Sequence, residues 1–435
     1  MNSPKRRIIN TTTIGFALFA MFFGAGNLIL PPYIGLTSGS QWFAALLGFF
    51  VTAILAPFLG LLMVIRTGTS FVDLGKRVHP QVISVIAFLI ILCIGPLVAI
   101  PRTGATTFEV GISPLFPSLS NIIFAFIFFG IVLVLSISKT KIVDIIGKFL
   151  TPFLLVSLAV LVLMGIVNQP TPISTSPLDF SKAFVLGFTE GYQTLDVLAA
   201  VTFAGIIISA VMSYGYVSVK ERSQITIAAG VISTLALVFI YGGLIYLGAT
   251  TTYETSQNVS RTDLLLHISK SILGSNGTYV ISVAIAFACL TTAIALTSAM
   301  GDFFERVSRG KIPYRWGVIG CTIISLLLSV NSVDQIISYA VNILLFIYPI
   351  TLALIVYILI FGKLVKAKFP YLGVLIVTGL ISLISVLENL QLNFGGLFRF
   401  KNSIPLSEHS LEWLLPSFIT FVVLALVNQF AIKHR

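Results

Sequence analysis

Twelve runs of apolar residues punctuate this chain, near 8–35, 41–65, 80–104, 118–137, 142–167, 182–213, 224–249, 277–304, 316–330, 333–361, 371–388 and 411–432. About 20 helical residues cross the hydrocarbon core of a bilayer. A backbone inside lipid must satisfy its own hydrogen bonds, so helices are the solution such runs dictate. Composition agrees. The chain is 57% hydrophobic and 9% charged, against about 25% charged in soluble proteins. The fold class is therefore all-α integral membrane with twelve transmembrane helices. No polar low-complexity stretch separates the runs, so residues 1–435 read as a single membrane domain.

The net charge of +11 is not the mark of a nucleic-acid partner, because the cations lie in the short gaps between apolar runs. With the N-terminus placed in the cytoplasm, 20 of the 26 Lys and Arg fall in cytoplasmic segments, and six remain outside: Arg102, Lys182, Arg261, Lys270, Arg399 and Lys401. That bias sets a multi-pass orientation with both termini cytoplasmic. Lys5-Arg6-Arg7 before an apolar run imitates a signal peptide, but the run is too long and lacks a small-residue cleavage site. It is kept as the first span. Cys93, Cys289 and Cys321 all fall in apolar runs without metal spacing and read as buried thiols.

Two spans carry residues that a purely structural helix would avoid. The first reads Phe22-Phe23-Gly24-Ala25-Gly26-Asn27-Leu28-Ile29-Leu30-Pro31-Pro32. Pro31 and Pro32 cannot donate to the carbonyls of Asn27 and Leu28. Each interior proline costs about 3 kcal/mol and each glycine about 1. The sixth reads Phe188-Thr189-Glu190-Gly191-Tyr192-Gln193-Thr194-Leu195-Asp196, with two carboxylates at a cost of at least about 2.5 kcal/mol each. The spans are five apart, so a second five-helix unit would enter from the opposite face. Paired interruptions of this kind point to an inverted-repeat transporter with its site at the midplane. The repeats would be 8–167 and 182–361, followed by two additional helices over 371–432. The simpler reading of the first stretch is a proline-kinked helix.

Broken helices expose unpaired amides at one end and carbonyls at the other. Amide ends favour anions and carbonyl ends favour cations. A zwitterion suits both: its carboxylate on the amides of Gly24, Ala25 and Gly26, its ammonium on carbonyls of the sixth span helped by Glu190. Asp196 would stabilise the first turn of the inner half-helix. In span eight, Ala288, Thr291 and Thr292 share one face and could form an oxygen cage for a hard cation; alternatively the hydroxyls bond back to the preceding turn. Arg102, late in span three, is expected to snorkel to the interface, the other reading being an outer gate to Glu190 or Asp334. Lys148 either snorkels to the cytoplasm or enters the cage as a titratable ammonium. Residues 262–269 place Leu264, Leu265 and Ile268 on one face, either a surface helix over an outer vestibule or a plain loop helix.

The Gly24–Pro32 and Glu190–Asp196 runs, with Val143-Asp144-Ile145-Ile146-Gly147-Lys148 and the twelve-span layout, resemble the bacterial branched-chain amino acid:cation symporters, the BrnQ-type carriers. That family looks like a distant member of the LeuT-fold superfamily, whose broken-helix site is a known example. The resemblance implies uptake of leucine, isoleucine and valine with Na⁺ or H⁺ across the bacterial inner membrane. It implies a LeuT-like 5+5 inverted repeat with helices 1 and 6 discontinuous. By position it implies a cation site from the carbonyls of Ala20, Phe23 and Ala288 with the hydroxyls of Thr291 and Thr292. Substrate contacts would fall on Gly24, Ala25, Gly26, Thr189, Glu190 and Gly191, and Asn27 matches a residue serving a second sodium site in LeuT itself. Two departures stand out. Leu30 occupies the place of LeuT's outer-gate arginine, and Glu190 is an acid where LeuT has none.

An apolar pocket walled by Tyr192, Leu97 and Ile294 would take the aliphatic side chain. One methylene is worth about 1–3 kcal/mol there, so all three amino acids should be accepted. The expected function is secondary active import of branched-chain amino acids by cation symport with alternating access. No catalytic residues or cofactor are expected, since no nucleotide loop, zincin pair or nucleophile elbow is present. The partners are then the amino acid, the coupling cation and the bilayer. The competing readings are a carrier of another small neutral amino acid or amine, an ion channel, and a membrane-embedded enzyme.

Overall fold

The computed structural model describes residues 4–24, 27–137, 142–168, 171–176, 178–253 and 259–433. Among the described residues every regular element is helical. The chain begins with α1 (Pro4–Phe22) and α2 (Leu30–Ser38). Pro31 and Pro32 fall in the first turn of α2, where their missing N–H groups have no intrahelical partner to lose. The same prolines that forbid one continuous helix therefore start the second.

A rod over 42–67 follows, with α3 (Trp42–Phe49) and α4 (Ala56–Thr67) joined by a π-helical stretch, Phe50–Leu55. The next rod contains α5 (Pro80–Leu92) and α6 (Ala99–Thr106). It is broken by Pro96 and by Gly95 at φ −97°, ψ −120°. The chain continues through α7 (Asn121–Ile137) and α8 (Ile142–Val167). Then come α9 (Phe180–Glu190), a 3₁₀ turn over Gly191–Thr194, and α10 (Asp196–Ser213). Next are α11 (Val219–Ala249), α12 (Arg261–Val307), α13 (Tyr314–Ser329) and α14 (Val333–Phe361). The chain ends with α15 (Phe369–Asn389), the short α16 (Gly395–Ser403) and α17 (Leu414–Lys433). Among the described residues seven helical stretches are long and apolar enough to cross a membrane, and four shorter apolar helices accompany them.

Helix starts follow local signals. Ser218 with Glu221 and Ser332 with Gln335 form capping boxes, and Asp179 caps α9 through the Lys182 amide. The 262–269 segment is the first part of α12, which Gly274 (φ 67°) turns away from the remainder. Its Leu264, Leu265 and Ile268 are fully buried, so it lies inward as a plug and not as a loose surface helix.

Packing pairs the first interrupted segment with α11 and the second with α3 and α4. Glycine sets the approach in both. A Cβ on Gly35 would lie 1.8 Å from the Ile245 carbonyl oxygen, and one on Gly248 2.1 Å from that of Pro32. A Cβ on Gly187 would lie 1.9 Å from the Ala45 oxygen, and one on Gly48 2.0 Å from that of Phe184. In lipid, where no hydrophobic force presses helices together, such close backbone contact supplies the adhesion.

Candidate functional site

Between the two interrupted segments lies a cavity of about 90 Å³. Its polar lining is Asn27, Arg102, Thr103, Thr194, Asp196 and Thr292; Met21, Ile94, Phe203 and Leu296 supply apolar walls. Asn27 sits in the gap between α1 and α2, Asp196 at the first position of α10, and Arg102 just past the break in the third rod.

These three side chains form one network. The Asn27 amide nitrogen donates to both Asp196 carboxylate oxygens, at 3.0 and 3.2 Å. The Asn27 amide oxygen accepts from Arg102 Nη2 at 3.2 Å. Arg102 Nη1 donates to the Gln193 carbonyl at 2.5 Å. Arg102 is 3% exposed and Asp196 4%. A charge buried so deeply is tolerated only when paired and hydrogen-bonded, and Asn27 carries the connection between opposite signs. Leu195 takes left-handed backbone (φ 63°), an uncommon conformation for a residue with a branched side chain, and it separates the 3₁₀ turn from α10. The Asp196 amide is held by the Thr194 hydroxyl at 3.3 Å. Strained backbone of this kind concentrates at functional sites.

Arg102 therefore does not snorkel, nor does it reach Glu190 or Asp334. Its position after Pro101 on a helix already bent at Gly95-Pro96 points it inward. The missed signal was that Gly-Pro break, a third interruption next to an intramembrane arginine. The pairing that the other reading gave to Arg102 is made by Arg261 instead. Arg261 Nη2 contacts Glu190 Oε1 at 2.9 Å, Nη1 contacts Asp334 Oδ1 at 2.8 Å, and the guanidinium lies 4.1 Å from the Tyr33 ring centroid. Glu109 reinforces this seal, accepting from the Thr262 hydroxyl and the Val333 amide.

The sixth-span contacts expected for substrate lie elsewhere. The Thr189 hydroxyl is bonded to the Val185 and Leu186 carbonyls of its own helix. Glu190 is engaged by Arg261. Gly191 abuts Thr52, whose hydroxyl donates to the Phe188 carbonyl at 2.8 Å. Tyr192 stacks on Tyr348 at 4.4 Å and lines a different cavity. The opening falls a few residues later than expected, at Leu195-Asp196, because the 3₁₀ turn keeps 191–194 coiled. Leu97 and Ile294 are likewise not part of the lining; Ile94 and Leu296 are.

In the first interruption the Gly24 amide donates to the Phe22 carbonyl at 3.1 Å, so it is not a free anion donor here. Ala25 and Gly26 lie outside the described residues, as does the side chain of Lys148. Asn27 has both ends of its amide engaged within the protein, its nitrogen on Asp196 and its oxygen on the Arg102 guanidinium. The hydroxyls of Thr291 and Thr292 both donate to the Ala288 carbonyl, at 3.0 and 2.8 Å. The backbone-bonded alternative thus describes span eight here, and the Ala288 oxygen is engaged by its own helix. Phe23 is buried and stacks on Phe19 and Tyr241, while Ala20 is exposed. Among the described residues no group of three His, Cys, Asp or Glu could hold a metal ion.

Phe203 also lines a second, larger cavity of about 840 Å³, which reaches the surface beside Ser70, Arg306 and Val307. The central cavity is thus one side chain away from the face where α1 begins. Toward the opposite face it is covered by Arg261 and its partners.

The family of branched-chain amino acid transport proteins matches residues 7–431. The branched-chain amino acid permease BraB of Bacillus subtilis is 35% identical over 420 residues, covering 95% of this chain and 94% of the relative. A putative branched-chain amino acid carrier protein of Staphylococcus haemolyticus is 36% identical over 450 residues, covering 98% and 99%. Among solved structures, inward-facing Mhp1 superposes with a TM-score of 0.61 at 13% identity, covering 96% of this chain and 91% of that one. MhsT in complex with L-phenylalanine gives 0.59 at 15%, covering 95% and 98%. These likenesses show a shared LeuT fold. With a family match along almost its whole length, close relatives at a third identity and a multi-pass helical architecture, the chain belongs to the branched-chain amino acid transport protein family and is a transporter, not an enzyme.

Proposed function

We propose that the protein imports leucine, isoleucine and valine across the bacterial inner membrane by cation symport, with both termini cytoplasmic. The observation that carries this reading is the cavity shared by Asn27, Arg102 and Asp196. One wall offers a guanidinium and the other a carboxylate, across a space of about 90 Å³. A zwitterion presents the complementary pair, and Ile94, Phe203 and Leu296 suit an aliphatic side chain. Arg102 would take the substrate carboxylate and Asp196 its ammonium, with Asn27 giving up one of its internal bonds to each.

We read the architecture as twelve crossings, counting α1 with α2 and α9 with α10 as one interrupted span each. Residues 8–167 and 182–361 would be the inverted repeats. The packing of the first span on α11 and of the sixth on α3 and α4 supports this, since exchanging the two five-helix units exchanges those pairs. The 840 Å³ cavity beside the Lys- and Arg-rich ends, with the Arg261 cluster on the other face, supports an inward-open state. The cation would bind when α1 closes toward Ala288, Thr291 and Thr292, recruiting the Ala20 and Phe23 carbonyls. Hydroxyl oxygens keep acceptor lone pairs even while donating.

The test is uptake of labelled leucine into proteoliposomes under an imposed Na⁺ gradient, an imposed pH gradient, or neither. Accumulation driven by one gradient is expected. Equal uptake without either gradient would remove symport. A current far above transporter turnover would favour a channel.

A further inference from the structure

A further cavity, of about 700 Å³, is a groove on the outside of the helix bundle, between α5, α14 and α15. Its walls are apolar: Val85 and Leu89 from α5, Phe346 and Ile350 from α14, Ile376 and Leu383 from α15. Its two polar lining residues, His79 and Gln81, sit together at the start of α5. All three helices belong to stretches long and apolar enough to cross a membrane. Val85, Ile376 and Leu383 are exposed, so the groove opens toward lipid.

Its length is that of one leaflet. Along α5 it runs from His79 to Leu89, and along α15 from Leu372 to Leu383. At 1.5 Å per residue these are about 15 and 16 Å of helix, half of a hydrocarbon core about 30 Å thick. A membrane helix of another chain would lie along the whole core, whereas a groove that ends half-way suits an acyl chain. The end with His79 and Gln81 is also the cationic end. The Arg77 guanidinium donates to the Gly362 carbonyl, which brings the connection between α14 and α15 against the start of α5. That connection carries exposed Lys363, Lys366 and Lys368. The Lys368 carbonyl accepts from the amide of Leu372, a lining residue one turn on. Residues 74–108 and 363–387 contain no acid. Among the described residues none of the three lysines makes an ion pair.

We propose that this groove binds an anionic phospholipid, with one acyl chain between α5 and α15 and the phosphate among Lys363, Lys366 and Lys368 beside His79. Basic clusters where membrane helices meet the surface attract such headgroups. A zwitterionic lipid would fill the apolar part equally well but leave the lysines without a counter-charge. The occupant touches two elements that frame the central cavity. The rod that begins with α5 continues through the Gly95-Pro96 bend to Arg102, and Phe346 and Ile350 flank Tyr348, which stacks on Tyr192. The inference rests on these helices crossing the membrane and not on the choice of transported substrate.

The experiment is photocrosslinking of the full-length protein in phosphatidylcholine nanodiscs. Each holds a trace of lipid with a mid-chain diazirine and a headgroup of either phosphatidylglycerol or phosphatidylcholine, and adducts are mapped by mass spectrometry. The phosphatidylglycerol probe should label residues 79–89 and 372–383 about fivefold or more above the phosphatidylcholine probe. The exposed face of α7, with Ile122, Phe126 and Ile127, should take both probes equally, as ordinary boundary. The triple variant Lys363→Gln, Lys366→Gln, Lys368→Gln alters only exposed side chains and should lower the preference to that of α7. Gly379 lines the groove, and a Cβ there would meet only Ile350, at 3.7 Å. Gly379→Phe should therefore fill the groove and cut labelling of both segments severalfold. Equal labelling by the two probes in wild type overturns the proposal, as does a preference that survives the triple variant. Absence of adducts in both segments beside normal labelling of α7 overturns it as well, since another chain then covers the groove. Undiminished labelling in monodisperse Gly379→Phe overturns the placement of the acyl chain.

Discussion

Asn27 and Asp196, 169 positions apart in sequence, are joined by two hydrogen bonds of 3.0 and 3.2 Å inside the protein. Because Asn27 also accepts from Arg102, it holds together three separate interruptions of the membrane helices. Asn27→Ala would leave a buried carboxylate and guanidinium each short of a partner. Hydrogen bonds to charged groups contribute about 1.5–3 kcal/mol each, so leucine affinity should fall by at least tenfold. Asn27→Asp should be worse, since it places a like charge against Asp196. Labelled leucine binding, normalised to protein abundance, checks both.

Arg261 links α12 to Glu190 on the sixth span and Asp334 on α14, with its side chain 12% exposed. Removing it leaves two acidic side chains with no cation between them. Arg261→Ala should open the face that Arg261 covers. Met21→Cys, in the wall of the central cavity, would serve as reporter. The native thiols Cys93, Cys289 and Cys321 are buried and give a low background. Labelling of Met21→Cys by an impermeant maleimide from that face should rise severalfold with Arg261→Ala. An unchanged rate would mean that the cluster does not close the path.

How much of this was legible beforehand follows from the kind of signal each feature leaves. The all-helical architecture is written in hydropathy, and the helix ends at Phe22 and Glu190 in Gly24, Pro31, Pro32 and Gly191, since lipid forbids such residues without compensation. Asp196 at the head of α10 was legible for the same reason. The partners of the charges were not. Arg102 closes an apolar run and Arg261 lies in the gap between two, and neither position names its partner. Only the bend at Gly95-Pro96 and the turn at Gly274 decide that the first points to the centre and the second covers it. Thr189 and Glu190 were misplaced because α9 runs on through them, and Tyr192 because a 3₁₀ turn rotates each residue further than an α-helix does.

Gly187 and Gly48 let α9 and α3 touch backbone to backbone. A Cβ on Gly187 would fall 1.9 Å from the Ala45 oxygen, where no side chain can yield. Gly187→Val forces the helices apart, and overpacking of this sort costs about 1–3 kcal/mol or more. The melting temperature of the detergent-solubilised protein should drop by several degrees. Gly130→Val is the control, since a Cβ there meets nothing within 4 Å, and it should leave the melting temperature in place.

The double variant Thr291→Ala, Thr292→Ala isolates the cation site. Among the described residues both hydroxyls bond only to the Ala288 carbonyl, so their loss removes no hydrogen bond between helices. Abundance should stay near wild type while the cation concentration for half-maximal uptake rises by about tenfold or more, the loss of one or two oxygen ligands to a hard cation. Unchanged ion activation would remove these hydroxyls from the cation site.

Asp73 gives a pH test at the lip of the 840 Å³ cavity, in the connection between α4 and α5. Its carboxylate accepts from the Thr69 and Ser70 amides at 2.9 and 3.0 Å. The bond from Thr69 leads in holding it below the ordinary aspartate value of 3.8, outweighing its partial burial. A carboxyl that ionises more readily in the folded chain stabilises the loop above the unfolded value, and that contribution is lost as pH falls through the folded one. Thr69, Ser70, Phe71 and Val72 line the cavity mouth, so the loop's looseness should be read there. Hydrogen exchange over residues 68–79 should stay slow down to about pH 4, after correction for its intrinsic pH dependence, and quicken below. Asp73→Asn should be faster throughout and flat across that range. A wild-type profile as flat as the variant's would mean that the carboxylate does not pin the loop.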